Sequence, residues 1–197
     1  MREVELKAVV DDLDKRCKRV EAAGARLLFS GRLEDRRYDT PARTLVAQDV
    51  VLRLRIHRDA TIASAQLDWK GATQRVDGFK VREELTTSIG DPDILAAMLD
   101  RLGYLVIREI DREIVQYGLG GTVIRFEQYP RMDTLVEVEG TPDGIEAAIQ
   151  VIDLPRGTFT AERLPDFVRA YEKKSGNRAA VCDRELGGDY RYDMRDA

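Results

Sequence analysis

The sequence predicts a β-dominated α+β domain. Three observations carry that prediction: many short stretches alternate apolar and charged residues, only three or four segments show helical spacing, and no repeat or low-complexity linker divides the chain. At 197 residues one domain is favoured over two. Apolar residues make up 43 % of the chain, enough for a core, and charged residues 35 %, above the usual share. The 32 Lys and Arg against 36 Asp and Glu leave a formal charge of −4.

Taken in order, Met1–Val10 sets Glu3, Glu5 and Lys7 on one strand face against Val4, Leu6 and Ala8 on the other. A helix is predicted from Asp12 to Ala23, with Leu13, Cys17 and Val20 on one face and Gly24 as the stop. Val51–His57 sets Arg53 and Arg55 opposite Leu52, Leu54 and Ile56, and Gln66–Lys70 sets Asp68 and Lys70 opposite Leu67 and Trp69. Lys80–Leu85 sets Lys80, Arg82 and Glu84 opposite Val81 and Leu85. A second helix starts at the cap Asp91 and Pro92, buries Ile94, Leu95, Met98, Leu99 and Leu102, and ends at Gly103. Ile107–Tyr117 contributes Arg108 and Arg112, with an alternation broken as at a β-bulge. Thr122–Tyr129 sets Arg125 and Glu127 opposite Ile124 and Phe126, and Leu135–Gly140 sets Glu137 and Glu139 opposite Val136 and Val138.

Thr141-Pro142 opens a third helix, with Ile145, Ala148, Ile149 and Ile152 inward and Pro155 closing it. A fourth covers Pro165 to Lys174. The folded domain is therefore expected over residues 1–176, and residues 177–197 as a polar tail or surface segment. Met1–Asp12 lacks a secretory pattern and no apolar run is long enough to span a bilayer, so a cytoplasmic protein without membrane attachment is expected. Cys17 and Cys182 lack metal or disulfide spacing and read as reduced, structural thiols. His57, the single histidine, sits outside the carboxylate clusters and reads as a strand-end residue.

One alternating strand of this kind is ordinarily a sheet with one wet face. Here at least six strands place two or more ionisable residues on one face, while the opposite faces are apolar. Solvated faces tolerate Thr, Ser, Gln and Asn as readily as charge. If the apolar faces pack against helices, the charged faces turn either to bulk water or toward one another in a closed barrel. A charged lumen is stable only when its ions are paired, hydrated or bound to ligand. Glu3, Glu5, Glu127, Glu137 and Glu139 would supply hard oxygen donors suited to Mg²⁺ or Mn²⁺. Lys7, Arg53, Arg55, Lys70, Arg82, Arg108, Arg112 and Arg125 would supply an excess of cations. A ligand using both sets is strongly anionic and metal-bridged, which describes a polyphosphate better than a sugar or carboxylate. Nucleic acid fits poorly, because an acidic chain with inward charges offers no exposed basic stripe.

EVELK at Glu3–Lys7, YDTP at Tyr38–Pro41, LRLR at Leu52–Arg55, WKG at Trp69–Gly71, REE at Arg82–Glu84 and VEVEG at Val136–Gly140 together resemble the CYTH superfamily, the triphosphate tunnel metalloenzymes. The resemblance covers about residues 1–175 and implies a closed, eight-stranded antiparallel tunnel, flanked here by about four helices. It implies Glu3, Glu5, Glu137 and Glu139 as metal ligands, and Lys7, Arg53, Arg55, Lys70 and Arg112, with Arg82 and Arg108, as phosphate contacts. Arg125 joins the phosphate contacts from the lumen inventory, and Lys7, Arg112 and Glu127 are the residues expected at the reacting group. Two stretches depart from the family pattern: Arg108-Glu109-Ile110-Asp111-Arg112 lacks a basic pair at alternate positions, and PRMDT stands where many relatives have a Leu-Gly turn. The implied function is Mg²⁺- or Mn²⁺-dependent phosphoryl transfer on tripolyphosphate, ATP or thiamine triphosphate. Hydrolysis of the terminal phosphate is the first reading, cyclisation of ATP to cyclic AMP the second, and a non-catalytic nucleotide or polyphosphate binder the third. A homodimer is compatible with the sequence.

Overall fold

The computed structural model describes residues 2–59, 63–188 and 190–193, with side chains described from residue 4 onward. Nine strands form one antiparallel sheet: β1 (Arg2–Val9), β2 (Arg26–Asp39), β3 (Val51–Arg58), β4 (Ala63–Lys70), β5 (Gln74–Val76), β6 (Phe79–Ile89), β7 (Leu105–Leu119), β8 (Thr122–Gln128) and β9 (Leu135–Glu139). Their order is β1-β9-β8-β7-β2-β3-β4-β6-β5, and a further β1–β6 pairing closes eight of them into a barrel, leaving β5 as an extra strand on β6. The closure uses both halves of β1: Arg2–Glu5 pairs with Lys80–Glu83 of β6, and Glu5–Val9 with Leu135–Glu139 of β9. Closure leaves no edge among those eight strands and directs alternate side chains inward.

The helices cover the outside and one end. Asp12 caps α1 (Leu13–Ala22) by accepting from Lys15 N, and Thr141 caps α4 (Pro142–Ile152) by accepting from Gly144 N. As the spacing predicts, Ile145, Ala148, Ile149 and Ile152 are all buried, and they pack against Leu6, Ala8, Ile124, Phe126, Val136 and Val138. These are the outward, apolar sides of β1, β8 and β9. Asp91 caps α3 (Pro92–Arg101) as expected, accepting from Asp93 N and Ile94 N. Its predicted stripe needs correction: Leu99 is buried, but Ile94, Met98 and Leu102 are 55, 54 and 73 % exposed. This helix rests on the barrel wall through Leu95, Ala96 and Leu99 against Tyr38, Leu54 and Ile56, too narrow a seam to cover the rest. Leu85, expected on an apolar face, is likewise 58 % exposed.

β2 shows no alternation of charged and apolar faces in its sequence. Asp39, in the YDTP motif, uses its carboxylate to accept from the backbone N–H groups of Thr40, Leu45 and Val46, which fixes the short α2 (Thr44–Ala47). The expected bulge is present, as a register shift of β7 against β2 beside Arg37 and Tyr38. Residues 177–197, expected as a polar tail or surface segment, are mostly exposed where described but include a buried stretch. After α5 (Leu164–Ser175), Ala180 exchanges backbone hydrogen bonds with Arg131, and Ala179 to Cys182 are buried. Ala179 and Val181 join Ile110, Leu135, Phe167 and Val168 in a second core over one end of the barrel. α6 (Asp183–Gly187) follows, and its Glu185 accepts from Val181 N and Tyr192 N. Among the described residues no helix is long and apolar enough to cross a membrane.

Candidate active site in the barrel lumen

The alternation seen in the sequence has turned inward. One cavity inside the barrel is lined by Glu5 and Lys7 of β1, Asp35 and Arg37 of β2, Arg53 and Arg55 of β3, Lys70 of β4, Lys80 and Arg82 of β6, Arg112 of β7, Arg125 and Glu127 of β8, and Glu137 of β9. Asp49, Tyr129 and, from the start of α5, Arg163, Leu164 and Pro165 complete it on one side. Among the described residues the lining holds ten cationic and five acidic side chains. Past Arg55 and Arg125 the lumen continues to a second opening, lined by Gln66, Glu84, Leu85, Thr86 and Glu139.

Two ionic clusters organise the wall. In the first, Asp35 Oδ1 accepts from Arg55 Nε at 2.7 Å, and its Oδ2 accepts from Arg55 Nη2 at 2.9 Å and Arg112 Nη1 at 3.1 Å, with Arg53 Nη1 at 3.5 Å. Burial alone would raise the Asp35 carboxyl, but the guanidinium groups of Arg53, Arg55 and Arg112 outweigh it and hold the group well below the carboxylate range. Arg53 is fixed by Asp68, its cross-strand partner on β4, whose Oδ2 accepts Nε at 2.8 Å and Nη2 at 2.6 Å. Arg112 donates Nε to Glu127 Oε1 at 2.8 Å, while the Tyr129 hydroxyl donates to Glu127 Oε2 at 2.7 Å. Glu127 is held ionised, at about 2: burial pushes it up, and Arg112, Lys7 and Arg125 bring it down by more.

In the second cluster, Lys7 Nζ bonds Glu137 Oε2 and lies 3.5 Å from Glu5 Oε1, while Lys80 bonds the same Glu5 oxygen. Arg125 Nη1 reaches Glu137 Oε1 at 2.6 Å. Burial raises the Glu5 carboxyl, and Lys7, Lys80 and Lys70 together lower it well below its ordinary value. Glu5 and Glu137 are only 4 and 7 % exposed, so their charges depend on these neighbours.

Of the residues predicted from sequence, Glu5, Lys7, Arg53, Arg55, Lys70, Arg82, Arg112, Arg125, Glu127 and Glu137 line this cavity. Glu139 lies at the second opening. Arg108 is outside the lining, fully buried beneath the C-terminal segment, where its Nη2 donates to the carbonyl of Asp193 at 2.8 Å. Glu3 pairs in register with Arg82, and its side chain lies outside the described residues. Asp35, Arg37, Asp49, Lys80, Tyr129 and Arg163 are additional lining residues. The spacing Asp35-x-Arg37-x-Asp39 was a visible signal for the first two; Arg163 reaches the lumen only because α5 docks there. A separate group, Glu109, Asp111 and Cys182, lies outside the lumen. There Asp111 Oδ1 accepts from Arg36 and Oδ2 from Asp183 N, which ties the C-terminal segment to β7.

A closed antiparallel barrel with an ion-paired, cation-rich interior defines the class of fold. The CYTH domain model matches residues 1–152, and the chain belongs to that family. Solved structures share the fold at low sequence identity. A Vibrio parahaemolyticus protein proposed to be an adenylate cyclase has a TM-score of 0.73 at 22 % identity, covering 85 % of this chain and 97 % of its own. The PH1819 protein of Pyrococcus horikoshii has a TM-score of 0.69 at 21 % identity, covering 89 and 99 %. HpAC1 of Hippeastrum, a proposed adenylyl cyclase described as having a dominant triphosphatase activity, has a TM-score of 0.60 at 15 % identity, covering 91 and 98 %. No protein of curated function matches the sequence.

Proposed function

We propose that this chain is a divalent-metal-dependent phosphoryl-transfer enzyme that hydrolyses the terminal phosphate of a triphosphate, with tripolyphosphate and thiamine triphosphate as candidate substrates. The observation that carries the reading is the convergence of two buried carboxylates, Glu5 and Glu137, on one ammonium group inside a lumen where cationic side chains outnumber acidic ones. Carboxylates that already share one cation are hard oxygen donors of the kind that suits Mg²⁺ or Mn²⁺. Glu5 and Glu137 would hold that metal; bound there, it would neutralise phosphate oxygens and activate the attacking oxygen.

The rest follows from the protein's own groups. Arg53, Arg55 and Arg112 are each anchored by Asp35, Asp68 or Glu127, so they meet an anion without first losing conformational freedom. Glu127 has both oxygens engaged and acts through Arg112 as a positioning residue. Lys7 and Arg112 are the groups assigned to the reacting phosphoryl, where they oppose its developing charge. The enclosing walls limit the screening of each of these contacts by bulk water.

Hydrolysis is favoured over cyclisation of ATP because, among the described residues, the second opening offers one apolar side chain, Leu85, and no aromatic ring to orient adenine. Incubation with tripolyphosphate, ATP and thiamine triphosphate, each with Mg²⁺ or Mn²⁺, followed by product analysis, tests the reading. Orthophosphate release is expected. Cyclic AMP would replace it with the cyclase reading, and tight binding without turnover with that of a carrier.

A further inference from the structure

Arg37 differs from the other lumen arginines. It lies on β2 two residues beyond Asp35, and the register sets it directly between Arg53 of β3 and Arg108 of β7. Like charges side by side on neighbouring strands destabilise a sheet. Of the two carboxylates two residues away along its strand, Asp35 is shared by Arg53, Arg55 and Arg112, and Asp39 accepts from the backbone of Thr40, Leu45 and Val46. Among the described residues none forms an ion pair with Arg37, and its Nε is buried without a hydrogen-bond partner. Burial first, and then the charges of Arg108 and Arg53, pull its guanidinium down to about 9. A buried donor left unsatisfied costs stability, and such a group is explained when a ligand completes it.

Its position limits what that ligand presents. Along β3, Arg55 borders both the main cavity and the second opening, whereas Val51 borders the main cavity alone. Arg37 is level with Arg53, between those two, and its β7 neighbour Arg108 stands two residues beyond Ile110, which packs with Leu164, Phe167 and Val168 at the α5 end. A linear anion entering from the second opening would end there.

We infer that Arg37 is a specificity-determining residue that receives the terminal phosphoryl group of a linear polyphosphate at the α5 end of the tunnel, so that any organic substituent points toward the opposite mouth. This rests on the triphosphate reading of the lumen.

The test is calorimetric titration in EDTA of wild type, Arg37→Met and Arg37→Lys with inorganic tripolyphosphate and with diadenosine triphosphate, which has no terminal phosphoryl group. Thermal unfolding of the ligand-free proteins accompanies it. Tripolyphosphate affinity should fall roughly tenfold or more in Arg37→Met. Diadenosine triphosphate affinity should change little, so the ratio of the two narrows. Ligand-free Arg37→Met should melt at or above the wild-type temperature, because a positive charge set between Arg53 and Arg108 has gone. Arg37→Lys keeps the charge without the planar fork; it should fall between, and it supplies the same ratio if Arg37→Met does not fold. An unchanged ratio in the folded variants, or equal losses for both ligands, overturns the assignment. Failure of wild type to bind tripolyphosphate overturns the triphosphate reading and this inference with it.

Discussion

Asp35 Oδ2 accepts a hydrogen bond from Arg112 Nη1 at 3.1 Å, which joins β2 to β7 from within the barrel. The same carboxylate grips Arg55 of β3, so one acidic group compensates charge on both neighbouring strands. Asp35→Asn should therefore lower stability by about 3–5 kcal/mol, the usual cost of removing one partner from a buried ionic cluster, read as a lower urea midpoint. Because the folded carboxyl sits below the 3.8 of an unperturbed aspartate, its contribution is complete above that value and is lost as pH falls through the folded one. The acid limb of the stability curve should accordingly be shallower in Asp35→Asn.

Glu5→Gln and Glu137→Gln separate metal binding from anion binding. Each should reduce metal-dependent turnover by about 100-fold, the equivalent of ~3 kcal/mol of lost charge stabilisation. Tripolyphosphate binding in EDTA should hold or strengthen, because the lumen becomes more positive. Steady-state rates over a Mn²⁺ series, paired with calorimetry, check both halves. Undiminished turnover would remove these carboxylates from the metal site.

His57 gives a prediction of pH dependence. Burial, and then the charges of Arg55 and Arg125, push its imidazolium down to about 4 from an ordinary 6.5. Between those values the unfolded chain holds a proton that the folded chain does not, so stability rises with pH across that window. His57→Gln should flatten the slope between pH 4 and 6.5, measured by urea unfolding at half-unit steps. A slope unchanged from wild type would place the acid sensitivity elsewhere.

The two sides of α3 should behave oppositely. Leu99 is buried against Tyr38 and Leu54, and Leu99→Ala should cost about 2–5 kcal/mol. Leu102 is 73 % exposed, and Leu102→Gln should change stability by no more than ~0.5 kcal/mol. Chemical denaturation of the protein at a fixed concentration measures both.

The helices and most of the lumen were legible because their patterns are local. Asp12, Asp91 and Thr141 cap the helices they announce, and the alternation of β1, β3, β8 and β9 separates Glu5, Arg53, Glu127 and Glu137 from the apolar wall. β2 was hidden because both its faces carry charge. Glu34 and Arg36 point outward to Arg58 and Asp111, while Asp35 and Arg37 line the lumen, so the usual contrast between wet and dry sides is missing. Arg108 shares the inward parity of Arg112, but lies beyond the point where the C-terminal segment covers the barrel, a contact that no spacing rule contains. The exposed stripe of α3 has the same origin. Periodicity identifies an apolar face, whereas its coverage depends on how broad a surface the barrel offers it.

The double pairing of β1 has a consequence for assembly. Its two partners, β6 and β9, begin at Phe79 and Leu135, so as a ribosome delivers the chain, the first strand has one neighbour well before the other. The ring is sealed only after β9 emerges, and pairings this distant in sequence are slow to form. Until then the Val9 end of β1 is an unpaired edge, and the interval before sealing is when misassociation threatens this protein most.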